Sequence, residues 1–168
     1  MSLLLSFLVL QAVATDPAPS DWLFRNRGKD AITGLESSIA SVNSLAGGDK
    51  LTVQCDAVDV HVLSILYIPK KFTGRSGSQQ VIFKFGNDEA GEYSAEPVSS
   101  AKAITDPYQV NDLAHRLARS EVVTVRAFNY NDQPVDARFE IRGGEQSIRA
   151  VFATCGIPFD KPEKKKRK

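Results

Sequence analysis

At 168 residues, with 42% hydrophobic, 24% charged and 8% aromatic side chains, the chain fits one ordinary globular domain and excludes the disordered class. It is long enough to bury a core without a structural metal or several disulfides. The formal charge of +1 hides an asymmetry: the last eight residues hold six basic side chains and one acid, so the rest of the chain is acidic.

The N-terminus carries an apolar run, Leu3 to Leu10, that ends in the small-x-small pattern Ala12-Val13-Ala14. That pattern predicts an export leader over residues 1–14, with a Pro-rich linker at 15–20. The run is well short of the roughly 20 residues a membrane span needs, so no transmembrane segment is expected. The alternative is a buried N-terminal strand or helix. A β-rich domain is expected over residues 21–157, followed by a disordered basic tail over 158–168.

Asp21–Arg27 reads as a first strand, and Gly28-Lys29-Asp30 as a turn. A strand with a break near Gly34 is expected over Ala31–Val42, with Ile32, Leu35 and Ile39 as its apolar positions. Gly47-Gly48-Asp49 is a turn signal. Leu51–Cys55 alternates with period two, the mark of a half-buried strand. Ala57–Ile68 reads as one long β-branched strand ended by Pro69, and Lys70–Ser78 as a surface loop. Val81–Phe85 and Glu92–Pro97 flank a hairpin loop, and Ala101–Ile104 is a short strand.

Asp106 then suits an N-cap and Pro107 the first helical position. Val110, Leu113, Ala114 and Leu117 recur on one helical face. Glu121–Phe128 and Val135–Ile141 form a hairpin; pairing Val125 with Ala137 keeps both apolar sets on one side and sets Arg126 opposite Asp136. After Gly143-Gly144 a last helix is expected from Glu145, with Ile148, Val151, Phe152 and Cys155 on its inner face. Consecutive short strands without βαβ alternation predict a mainly β (α+β) fold, an antiparallel β-sandwich or barrel with two edge helices.

Cys55 and Cys155 both fall on inward positions, and in an exported chain they are expected to form one disulfide. A redox pair is disfavoured, since no Cys-x-x-Cys spacing is present. No metal or cofactor is expected: His61 reads as a strand-face residue and His115 as an exposed helix residue, on separate elements. There is no nucleophile elbow, and Asp88-Glu89 reads as a solvated turn. The glycines before the last helix could hold an anion at its N-terminus, but Glu145 already places a negative charge there. Arg126 is unusual in an apolar strand. It pairs with Asp136 or Glu140, or it joins Tyr67 and Tyr130 in a binding surface.

Leu51–Cys55, Leu66-Tyr67-Ile68, Val81–Phe85, Val123–Arg126, Pro134–Phe139 and the helix ending Ala153-Thr154-Cys155-Gly156 resemble the VasI/TagO family of type VI secretion accessory proteins. The resemblance runs from about Trp22 to Gly156 and includes the spacing of the two cysteines. It implies a small, non-enzymatic envelope domain with no catalytic residues to carry over. This chain departs from the pattern in its Lys70–Ser78 loop and basic tail.

The expectation is therefore a periplasmic or secreted binding or accessory module whose partner is an envelope protein or cell-wall component, and not nucleic acid. The tail residues Lys164, Lys165, Lys166, Arg167 and Lys168 would meet an anionic surface. The alternative function is a cell-wall glycan hydrolase or an inhibitor of one.

Overall fold

The computed structural model describes residues 21–57, 59–71 and 79–159. The expected leader, the linker and most of the basic tail lie outside the described residues. Strands β1 (Leu23–Lys29), β2 (Glu36–Asn43), β3 (Lys50–Ala57) and β4 (His61–Ile68) run up and down in sequence. They are followed by β5 (Gln79–Phe85), β6 (Gly91–Val98) and β7 (Ala101–Ile104). Helix α1 (Pro107–Arg119) leads to β8 (Val122–Phe128) and β9 (Pro134–Glu140), and α2 (Glu145–Thr154) closes the domain.

All pairings are antiparallel, in the order β1-β2-β3-β4-β7-β6-β5-β8-β9. Among the described residues the fold is thus mainly β with two helices and one disulfide. Of the two architectures expected, the barrel is set aside, because the sheet does not close. Its two ends meet through single hydrogen bonds: the Leu45 N–H donates to the Arg138 carbonyl at 2.8 Å, and the Trp22 indole N–H to the Ile141 carbonyl at 3.0 Å. Helix α2 packs against β1, β2 and β3, while α1 packs against α2 and β4.

The core lies inside this curl. Leu51, Val53 and Cys55 point inward from β3, Ile65 and Tyr67 from β4, and Phe139 from β9. Tyr67 and Phe139 meet edge-on at 6.4 Å between centroids, as do Phe83 and Tyr93 at 5.4 Å. The β8–β9 register is the expected one, with Val125 opposite Ala137 and Arg126 opposite Asp136.

The start of α1 and the end of α2 are set by local contacts. The Asp106 carboxylate accepts the Gln109 N–H at 2.9 Å, with Pro107 opening α1. At the other end of the chain, Gly156 N–H donates to the Ala153 carbonyl and Ile157 N–H to the Phe152 carbonyl. With Gly156 at φ +67°, this is a Schellman closure, and it holds Cys155 in place at the last turn. Cys55 and Cys155 are bonded with Cα atoms 5.6 Å apart, tying β3 to the end of α2.

Three local expectations are corrected. The turn expected at Gly28–Asp30 sits later, because Gly28 and Lys29 belong to β1, with a bulge between Asn26 and Gly28. There the Asp30 carboxylate accepts the N–H groups of Ile32 and Thr33, which folds the chain at Ala31–Thr33 and leaves Ile32 95% exposed. The inward residues of β2 are Ser38, Ala40 and Val42, not Ile39. The strand expected over Ala57–Ile68 is two elements: β3 ends at Ala57 and β4 starts at His61, with Val60 exposed between them.

Candidate functional site

Asp49 gathers the end of the sheet where β2 meets β3 and where β4 ends. Its carboxylate accepts the Tyr67 hydroxyl at 3.1 Å, the Lys70 N–H at 3.0 Å and the Ser44 hydroxyl at 3.2 Å. Gly48, at φ +95°, precedes it, and a Cβ there would come within 2.6 Å of the Lys70 stem. Glycine at 48 therefore lets the Lys70 side chain lie across the turn. Burial, helped by the adjacent Asp49 charge, pushes the Tyr67 hydroxyl well above the usual tyrosine range, so it stays a hydrogen-bond donor.

The β8–β9 turn faces this knot. The Asn129 side-chain carbonyl accepts the N–H groups of Asn131 and Gln133 at 2.9 and 3.0 Å, which sets the turn and lifts Tyr130 to its tip, 72% exposed. Between the two turns lies a cleft of about 470 Å³, lined by Lys70, Lys71, Asn129, Tyr130 and Asn131, with Val135 and Asp49. Neither lysine forms an ion pair among the described residues. The cleft thus presents ammonium, carboxamide and phenol groups, while its one carboxylate is already committed to three donors.

No family model, curated protein or solved structure matches this chain.

The expected surface of Tyr67, Arg126 and Tyr130 is rearranged. Tyr67 is 1% exposed and acts through Asp49 rather than through an open ring face. It faces the interior because it shares the pleat of Ile65, as the alternation of β4 requires. Arg126 makes a paired contact with Asp136, both bonds at 2.7 Å, on the outer face of the hairpin. That contact holds the Asp136 carboxyl below the usual carboxylate range and raises the Arg126 guanidinium. Tyr130 is the one of the three that the cleft exposes. Lys164, Lys165, Lys166, Arg167 and Lys168 lie outside the described residues. Phe159, counted with the tail on sequence grounds, is packed instead: its ring meets His115 at 4.0 Å and Phe152 at 4.9 Å.

His115, expected on the surface, is 3% exposed, since Phe159 returns over the helix and covers it. His61 approaches the Glu36 carbonyl at 3.0 Å, bridging β4 to the start of β2. Lys102 stands opposite Tyr67 in the register, on the inner face of β7, and is 2% exposed; burial lowers its pKa. Its position in Ala101-Lys102-Ala103-Ile104 was the one signal, a lone charge in a short apolar strand.

Two further concavities lie elsewhere on the described surface. One of about 500 Å³ at the β5–β6 turn brings Asp88 and Glu121 to its rim, and Glu121 is held by Arg142 at 2.9 Å. Another of about 220 Å³ is apolar, walled by Val62, Leu63, Pro107, Val110, Phe152 and Ile157. Sequence reasoning did not find the cleft. Gly47-Gly48-Asp49 read only as a turn, and two of the donors to Asp49, Tyr67 and Lys70, lie 18 and 21 residues away, with no periodicity to link them.

Proposed function

We propose that this protein is an exported, non-enzymatic binding or accessory module of the bacterial cell envelope, periplasmic or secreted, with the Lys70–Tyr130 cleft as its binding site. The observation that carries the reading is the Cys55–Cys155 bridge, which joins the interior of the sheet to the closing helix. Bridges of this kind persist in oxidising compartments and are rare where glutathione keeps thiols reduced. No helix among the described residues is long and apolar enough to cross a membrane. The cleft supports binding rather than chemistry: among the described residues its one carboxylate is Asp49, and the two hydroxyls that donate to it, Ser44 and Tyr67, are both buried. The resemblance to type VI secretion accessory proteins extends the proposal to a role beside such an apparatus.

Two measurements test this reading. Mass spectrometry of protein trapped with a thiol-blocking reagent should find the mature chain starting after Ala14 and lacking the two thiol hydrogens. Sedimentation with purified cell-wall sacculi or an envelope extract should retain the native chain and lose the Cys55→Ser variant. Finding free thiols with the leader still attached would remove the compartment, and with it the proposed role.

A further inference from the structure

We infer that the cleft takes an anionic glycan, a short saccharide bearing carboxylate or phosphate groups. The inference rests on the binding-module reading and names its ligand. Among the described residues the lining sets Lys70 and Lys71 against the single carboxylate of Asp49, whose partners are neutral hydrogen-bond donors, so the cleft carries a net positive charge. The Lys70 stem lies over Gly48 and its backbone N–H is tied to Asp49, so its root is fixed before any ligand arrives. A flexible surface lysine has no such pinning, and a preorganised one loses less entropy on binding.

The rest of the lining suits a sugar better than a bare anion. Tyr130 presents an exposed ring at the rim, against which the C–H face of a pyranose can pack. The Asn131 side chain can both donate to and accept from hydroxyls, and the Asn129 amide is held beside it by its own turn. A volume of about 470 Å³ lies within the range of small-ligand clefts and accommodates two or three sugar rings. The acceptor side is narrower, because the Asp49 carboxylate already receives three donors, and a cationic ligand would face two lysines.

The test is amide NMR on the full-length oxidised chain, titrated with a uronic acid trisaccharide, a hexose phosphate, inorganic phosphate, uncharged maltotriose and pentaglutamate. Either charged saccharide should shift the resonances of Lys70, Lys71, Asn129 and Asn131, and the pair together shows whether carboxylate or phosphate is preferred. Maltotriose and inorganic phosphate should bind far more weakly. Lys70→Gln with Lys71→Gln should weaken the charged saccharide about tenfold at low salt. Tyr130→Ala should weaken it severalfold with the charge unchanged, whereas Lys84→Gln with Arg119→Gln should leave it as it is. Shifts confined to residues 160–168, equal loss in the Lys84/Arg119 variant, or equal binding of maltotriose or pentaglutamate would overturn the inference. If sacculi still retain the cleft variants, the ligand assignment fails while the envelope role stands. Free thiols in the mature protein would remove the envelope role without touching the titration.

Discussion

The β8–β9 and β1–β2 hairpins lie at opposite ends of the strand order, and their side chains follow different rules. In β8–β9 the large apolar side chains face the core: Val123, Val125 and Phe139 are buried, while Arg126 and Asp136 pair outside. In β2 the inward set is Ser38, Ala40 and Val42, and every residue of β1 is exposed. The difference comes from what covers each face. Helix α2 lies directly against β2, and Ser38 stands opposite the bridged Cys55. Small residues let the helix and the bridge approach; a larger side chain would hold them off. Alternation therefore identifies a strand, but the inward set is decided by how close its cover comes.

The strongest way to break this arrangement is Cys55→Ser. Removing a bridge across 100 residues is expected to cost about 4–5 kcal/mol on the chain-entropy model, measured as the loss in denaturant unfolding free energy. A variant as stable as the native protein would show that α2 holds the β2 side without the bond. Phe139→Ala probes the other hairpin, where no covalent tie helps, and should cost about 3–4 kcal/mol from the cavity left against Tyr67. A loss below about 1 kcal/mol would show that the curl collapses to fill the space.

Enlarging β2 sharpens the contrast. Ala40→Leu should cost about 1–3 kcal/mol by pushing α2 away, while Ile39→Ser on the outer face should stay within about 1 kcal/mol. The reverse ranking in thermal unfolding would mean that hydrophobicity, not clearance, selects the β2 face. The Gly144 contact gives an independent check on the same end of the molecule. A Cβ at 144 would meet the Trp22 indole at 2.5 Å, so Gly144→Ala should loosen the hydrogen bond to Ile141 and change the tryptophan fluorescence.

The smallest effect belongs to the Arg126–Asp136 pair. Asp136 has a lowered folded-state pKa, so its contribution is present above the ordinary carboxylate pKa and is lost as pH falls through the lower folded value. Asp136→Asn should therefore flatten the acid limb of the stability curve and change little near neutrality, where the pair is exposed and screened. A native acid limb in the variant would assign that limb to other carboxylates.

Legibility was uneven for physical reasons. Helix α1 was readable to its cap, because Asp106, Pro107 and the Val110–Leu117 spacing act within one segment. The β8–β9 register was readable because one buried face rules out one-residue slips and the short turn between the strands limits the remaining choices. The cleft was not, since Asp49, Lys70 and Tyr130 come from three separated segments. His115 read as exposed because its covering ring, Phe159, belongs to a segment that sequence assigns to the tail.

By itself the sequence determined the β-rich class, both helices, the paired hairpin and the meeting of Cys55 with Cys155. The first three follow from local periodicity and capping within single or adjacent elements, and the cysteine pair from two inward placements in a chain with two cysteines read as exported. Tertiary structure alone decided that the sheet stays open, that β2 turns its small residues inward, and that a lysine-lined cleft forms at one end. Those outcomes depend on how closely distant segments approach, and no periodicity within one segment records that distance.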